Sequence, residues 1–377
     1  MSKLPRAGES IFSRMSMLAK EHGAINLAQG FPDFDPPELL QQLLQEATRE
    51  HYNQYAPMQG LLILREQISL HLLETYQVTV DPEQEITITA GATQGVYTAI
   101  SCLVSPGDKV IVFEPAYDSY GPSVLVNSGI PIYLKLNLPD FSIPWDKLSD
   151  CLENNNIRLI VINNPHNPGG YVWTASDYAK MEKLLANKDV IVLWDEVYDA
   201  LVYDGNKHAS SLQFPELFKK SINCFSFGKS LHCTGWKIGY NIAHASLTKE
   251  YRKLHQFTVF SVHTPSQYAI ARFIEKTPEH FESLAQFYQQ KRDYFIQNFK
   301  NKAMNLFHCS GSYFLLAKYQ GELGDYDYCI DLIKNHQIAA IPISAFYYDQ
   351  TDDHIIRFCF AKKEETLQRA LYQLNNL

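Results

Sequence analysis

The feature that most constrains this chain is a recurring unit: a short apolar run, a polar tip, then a helical stretch. Residues 85–90, 110–113, 159–163, 190–194 and 224–227 are runs of this kind, long enough for a strand and too short for a free-standing helix. Several are apolar throughout rather than alternating, so both of their faces must be covered. That predicts an α/β protein built on a mostly parallel sheet with helices on each side. In such sheets ligands gather beyond the carboxyl ends of the strands. Thr93, Asn164, Asn167, Asp195, Ser226 and Lys229 fall at those ends. From 264 to 299 the pattern becomes helical and long. From 304 onward it mixes strands (313–317, 355–360) with helices (325–335, 364–374), which reads as a separate, smaller α+β lobe.

A chain of 377 residues suits one large core plus such a lobe. A formal net charge of −8 and the lack of a long basic tract argue against a nucleic-acid partner. No apolar stretch is long enough to cross a bilayer, and residues 1–6 lack the apolar core of a secretory signal, so no membrane partner is expected. Seven scattered cysteines form neither a disulfide framework nor zinc spacing, which predicts reduced thiols in a cytoplasmic protein and no bound metal. No G-x-G-x-x-G opens a βαβ unit, against a nicotinamide-linked dehydrogenase.

Lys229 closes Ser226-Phe227-Gly228-Lys229, after the apolar run from Ile222 to Phe227. On residue type alone it is a surface lysine with a solvated head. A lysine at a buried strand end, near a second lysine (Lys237), has its charged form disfavoured and becomes a nucleophile toward aldehydes. Asp195 follows another buried run and needs a cation or an N–H partner there, with Tyr198 placing a phenol nearby. Gly91-Ala92-Thr93-Gln94 joins a strand to a helix start, where free N–H groups and a hydroxyl suit an anion as well as an ordinary cap. Asn163-Asn164-Pro165-His166-Asn167-Pro168-Gly169-Gly170 forces irregular backbone at a strand end, with His166 supporting the loop. Arg357, inside the apolar run Ile355-Ile356-Arg357-Phe358, calls for an anion, either an internal carboxylate or a ligand's.

In order along the chain stand NLAQGFPDF (26–34), GATQ (91–94), NNPHNPGG (163–170), DEVY (195–198), SFGKSLHCTGWKIG (226–239) and IRFCFAK (356–362). Together they resemble the class I/II aminotransferases, fold type I pyridoxal phosphate enzymes, nearly end to end. The first and last strings resemble the branch of methionine aminotransferases and kynurenine–oxoglutarate transaminases. The resemblance implies a mostly parallel seven-stranded sheet in a large domain (41–275). It also implies a small domain made of 1–40 and 276–377. The expected cofactor is pyridoxal 5′-phosphate, and the expected reaction is ping-pong transfer of an amino group from an amino acid to a 2-oxo acid.

By motif, Lys229 matches the lysine that bonds to the cofactor, and Asp195 the carboxylate facing its ring nitrogen. Tyr198 and Asn167 match the partners of its ring oxygen. Ala92, Thr93, Ser226 and Lys237 match the phosphate cradle, with arginine in many relatives where Lys237 stands. Tyr117 matches the aromatic on the ring face, and Tyr55 a tyrosine reaching the phosphate from the other subunit, which implies a homodimer with shared active sites. Arg357, with Asn167 and Gly30, matches the grip on the substrate carboxylate. Phe12, Tyr55, Tyr117 and Phe260 fall where the branch lines its side-chain pocket, Tyr55 and Phe260 coming from the partner. Animal kynurenine transaminases tend to have tryptophan at the Phe12 position and an aromatic–His pair where Phe260-Ser261 stands. Methionine and aromatic or apolar amino acids are therefore the expected donors. A cysteine-conjugate C–S lyase and a kynurenine transaminase are the alternatives.

Overall fold

The computed structural model describes residues 2–4 and 8–377. Part of the stretch read for a secretory signal (Met1, Pro5 and Arg6) therefore lies outside the described residues, as does Ala7. Among the described residues thirteen strands follow one another: β1 (Ile25–Asn26), β2 (Ile86–Thr89), β3 (Lys109–Glu114), β4 (Ile130–Lys135), β5 (Ile157–Asn163), β6 (Ile191–Asp195), β7 (Ser221–Ser226), β8 (Gly239–Ala243), β9 (Met304–Leu306), β10 (Phe314–Tyr319), β11 (Ile338–Ala339), β12 (Ile341–Pro342) and β13 (Ile355–Cys359).

The large sheet has seven strands in the order β2-β8-β7-β6-β5-β3-β4. Only β8 runs against the others, pairing antiparallel with both β2 and β7. The expected mostly parallel seven-stranded sheet is thus present. Its two faces are buried in alternation. Val110, Val112, Leu159, Val161 and Leu193 pack toward the helices Ala92–Leu103 and Ala245–Thr258. Ile111, Ile160, Ile162, Val192 and Trp194 point the other way, into a core that continues to Leu315 and Phe358 of the small sheet. That second sheet is antiparallel, in the order β12-β13-β10-β9, and β1 pairs in parallel with β11 beside it.

Five strands of the large sheet coincide with the apolar runs. β4 and β8 do not, for physical reasons. β4 is an edge strand that is nowhere fully buried and contains Pro131, a residue that edges tolerate. β8 (GYNIA) breaks its apolar run with Asn241, whose Nδ2 donates to the Gly95 carbonyl at 3.2 Å. The helical stretch 264–299 is two helices, Thr264–Lys276 and Glu279–Asn298, parted at Thr277-Pro278. The strand before Lys229 ends at Ser226, one residue earlier than the apolar run, and Phe227–Ser230 forms a single helical turn.

Strand register gathers the polar tips. Asn163 sits opposite Asp195 across β5 and β6, and Asp195 opposite Cys224 across β6 and β7. Three neighbouring strands therefore deliver their polar tips to one edge. All seven cysteines are unpaired. Among the described residues no helix is long and apolar enough to cross a membrane, and no group of His, Cys, Asp or Glu is arranged to hold a metal.

Candidate active site

The polar tips open onto a cavity of about 160 Å³. Of the residues singled out in the sequence, Ala92, Thr93, Tyr117, Asn167, Asp195, Tyr198, Ser226, Lys229 and Lys237 all line it.

One wall is the start of the helix Ala92–Leu103. Gly91, just before it, has φ +77°, a conformation that favours glycine. A Cβ at Gly91 would lie 3.2 Å from Lys237 Cε and 3.3 Å from its Nζ. The missing side chain lets this lysine approach the free N–H groups of the helix start, giving two sources of positive potential at one point. Gln94 fixes the turn by accepting from the Ala90 N–H at 2.9 Å.

The loop after β5 is tied down by its own asparagines. Asn163 donates to the Asp195 carbonyl at 2.8 Å and accepts from the Asn167 N–H at 2.6 Å. His166 accepts from the Gly169 N–H at 3.1 Å and pairs with the Pro115 carbonyl at 3.0 Å, while burial pushes its imidazole down to about 4. It braces the loop, as expected.

Asp195 is 6 % exposed. The Tyr120 phenol donates to its Oδ2 at 2.5 Å, while Oδ1 is buried without a partner. Burial lifts the carboxyl to about 6, against the pull of Tyr120, the Val197 N–H and the Lys229 charge. Among the described residues no cation lies within ion-pairing distance of it, so a phenol and an N–H meet the expected need. The carboxylate thus keeps one oxygen aimed at nothing within the chain, a costly state in a buried place.

Lys229 is half-buried on its helical turn. Its Nζ donates to the Tyr313 hydroxyl at 3.0 Å and lies 3.4 Å from the Gly30 carbonyl. Burial, with Lys237 and Arg357 adding to it, pushes the amine down to about 8 despite opposition from Cys359 and Asp195. Its neutral, nucleophilic form is therefore a minor but far more accessible fraction near neutrality than for an ordinary lysine.

Arg357 is 1 % exposed. Its Nη1 donates to Asn167 Oδ1 at 2.7 Å and its Nη2 to the Ala28 carbonyl at 3.1 Å, and its Nε is unpartnered. The guanidinium carbon lies 3.8 Å from the Phe314 ring centre, 5.1 Å from Phe346 and 5.4 Å from Phe12. Among the described residues no carboxylate ion-pairs with it; every contact is to a neutral group. Gly30 comes equally close to Phe314: a Cβ there would be 2.6 Å from the ring.

Tyr55 and Phe260 are not brought to this cavity. They pack edge to face on each other at 5.2 Å on the outside of the chain, 81 % and 46 % exposed. The sequence reading also missed four aromatics: Tyr120, Tyr313, Phe314 and Phe346. The only signals for the first three are a second tyrosine three residues after Tyr117 and an aromatic pair at the start of β10.

The chain matches the family model described as aminotransferase class I and II over residues 22–374. It is 43 % identical to the methionine aminotransferase of Escherichia coli strain K12, over 100 % of this chain and 98 % of that protein. It is 32 % identical to kynurenine–oxoglutarate transaminase 1 of Mus musculus, over 93 % and 91 % of the two chains. Among solved structures, E. coli YbdL, identified as a methionine aminotransferase, superposes with a TM-score of 0.97 at 42 % identity, covering 100 % of this chain and 99 % of the other. The N-succinyldiaminopimelate aminotransferase of Mycobacterium tuberculosis gives 0.94 at 32 % identity, over 100 % and 99 %.

Proposed function

The chain belongs to the class I and II aminotransferases, which use pyridoxal 5′-phosphate, and from that premise we propose that it moves the amino group of methionine, and of aromatic or other apolar amino acids, to a 2-oxo acid. The observation that carries this reading is a pair of buried, unlike charges at one site, Asp195 and Arg357, each held only by neutral groups.

The residues present fit the cofactor. Asp195 Oδ1 is an orphaned acceptor for a protonated ring nitrogen. Ala92, Thr93, Ser226 and Lys237 gather donors for a phosphate beside Gly91, where a side chain would crowd Lys237. Tyr117 offers a ring face, Asn167 and Tyr198 offer donors to a ring oxygen, and Lys229 offers the amine for a covalent bond. When bound, the cofactor supplies an aldehyde carbon that joins to amines and a ring that draws electrons from the substrate's α-carbon.

Arg357 takes the substrate's carboxylate in its fork, with Asn167 and Gly30 alongside, and so fixes which α-carbon bond is presented. Asp195 stays ionised above about pH 6 and keeps a positive charge opposite it. Lys229 Nζ, neutral in useful amount, takes the proton from the α-carbon. Two such half-reactions in turn give ping-pong kinetics.

Apolar walls favour a thioether or aromatic side chain, and Phe12 stands beside Arg357 on that wall. The E. coli relative's methionine activity supports the same donor. A screen of donors and 2-oxo acids on purified protein tests this. Methionine is expected to give the highest kcat/KM, and a tenfold preference for aspartate or alanine would overturn it. The kynurenine transaminases among the relatives make kynurenine the second donor to assay. Pyruvate released from a cysteine conjugate without any acceptor acid would point instead to a C–S lyase.

The same proposal extends to domains, assembly and location. The division into 41–275 and into 1–40 with 276–377 places Asp195 and Lys229 in one unit and Gly30 and Arg357 in the other. A homodimer is supported by the outward-facing aromatics Tyr55, Phe257 and Phe260, with Tyr55 of the partner subunit completing the phosphate site. Sedimentation that finds an active monomer would exclude it. Unpaired cysteines suit a cytoplasmic location.

A further inference from the structure

Tyr313 is the residue that holds the Lys229 amine most closely. It is fully buried, one residue before β10. Lys229 Nζ donates to its hydroxyl oxygen at 3.0 Å. The Tyr313 O–H in turn donates to the Gly30 carbonyl at 2.6 Å, and the same carbonyl lies 3.4 Å from Nζ. A phenol has one proton to give. With that proton committed to Gly30, the Tyr313 oxygen can only accept, so the amine must be the donor. The Gly30 carbonyl also can only accept. Both neighbours of the amine therefore take N–H protons, and neither occupies its lone pair.

The phenol is held still. Its ring meets Tyr198 edge to face at 5.1 Å and Phe314 at 4.9 Å, and lies tilted against Tyr288 at 5.8 Å. The carbonyl of Ala28, two residues before Gly30, accepts from Arg357, so one short segment bears on both the amine and the guanidinium.

We infer that Tyr313 and the Gly30 carbonyl form a resting place for the Lys229 amine whenever it carries no covalent bond, gripping its N–H groups and leaving its lone pair free to take a proton. The inference rests on the proposed function, in which Lys229 is the reactive amine. Tyr313 then touches a reacting atom and counts as a further catalytic residue. The charged and titratable groups around the amine are Asp195, Lys237, Arg357, Cys359, Tyr198 and Tyr313. Of these, Tyr313 is the one that accepts a hydrogen bond from Nζ, which favours the protonated amine.

The test uses the full chain, first without cofactor. Lys229 is acylated with an amine reagent across a pH series and quantified by peptide mass. Tyr313→Phe should move the Lys229 midpoint down by about half to one pH unit, the size of one net hydrogen bond. With cofactor, it should slow the half-reaction with an amino acid about tenfold at unchanged KM and enlarge the isotope effect of α-deuteration. Tyr313→Gln, whose amide both accepts and donates, should recover part of both losses. An unmoved midpoint overturns the inference, and so does a slower reaction that the Gln variant does not improve. If the Phe variant does not fold, Tyr313→Met against Tyr313→Gln carries the same comparison. Attachment of the cofactor to Lys229 in the wild type is read separately: its absence defeats the proposed function, whereas attachment with an inert Tyr313→Phe defeats this inference alone.

Discussion

Arg292 and Arg357 are both buried in the C-terminal part of the chain, and they are treated in opposite ways. Arg292, on the helix Glu279–Asn298, pairs with both oxygens of Asp204 at 2.6 and 2.8 Å and with Asp293 at 2.7 Å. Arg357, on β13, touches an amide oxygen, a backbone carbonyl and three aromatic faces, with no carboxylate among the described residues. Burying a charge costs several kcal/mol unless it is compensated. The chain compensates Arg292 from within and leaves Arg357 to be compensated from outside. Neutral ligands hold the guanidinium in place without consuming its charge. Asp195 mirrors this with the opposite sign, fixed by a phenol and an N–H. Structural ion pairs and binding charges can thus be told apart by what their partners are.

The largest expected effect lies between the two binding charges. Lys229→Ala should lower transamination by more than about a thousandfold, with the melting temperature within a few degrees of wild type. Arg357→Met comes next. It should cost about 2–5 kcal/mol in kcat/KM while leaving stability equal or improved, because an uncompensated charge leaves the interior. Arg292→Met should do the reverse: a loss of about 1–3 kcal/mol in stability by denaturant titration, with kcat/KM within roughly threefold of wild type. Its figure stays small because Asp204 and Asp293 keep more than a third of their exposure and can be rehydrated. If both arginine variants lost stability alike and kept activity alike, the contrast would collapse.

The smallest expected effect sharpens the contrast from the anionic side. Burial lifts Asp195 to about 6, and only its ionised form can pair with a cation. Cofactor affinity should therefore be full above that value and weaken as the pH falls through about 6. Asp195→Asn, which cannot ionise, should bind more weakly and lose this step in the profile. Equilibrium titration of the two proteins between pH 5 and 8 checks it.

The sequence made the charged half of this site legible. Asp195, Lys229 and Arg357 stand out because ionisable residues rarely interrupt or end apolar strands. Asn167, Thr93 and Gly91 stand out because turns at strand ends select such residues. The neutral half was hidden. Tyr120, Tyr313, Phe314 and Phe346 are four among 23 Tyr and 21 Phe, and nothing in composition separates a phenol that orients a carboxylate from one that fills a core. β8 was hidden because Gly239 and Asn241 weaken its apolar signal, although it carries the backbone that follows Lys237 into the sheet. Tyr55 and Phe260 were legible by resemblance only. Within one chain they lie on the surface, away from the cavity.

The most direct measurement is a covalent one. The chain loaded with pyridoxal 5′-phosphate is reduced with borohydride, digested and mapped. A pyridoxyl group on Lys229 is the predicted result. A group on another lysine, such as Lys237, or on none, would contradict the account.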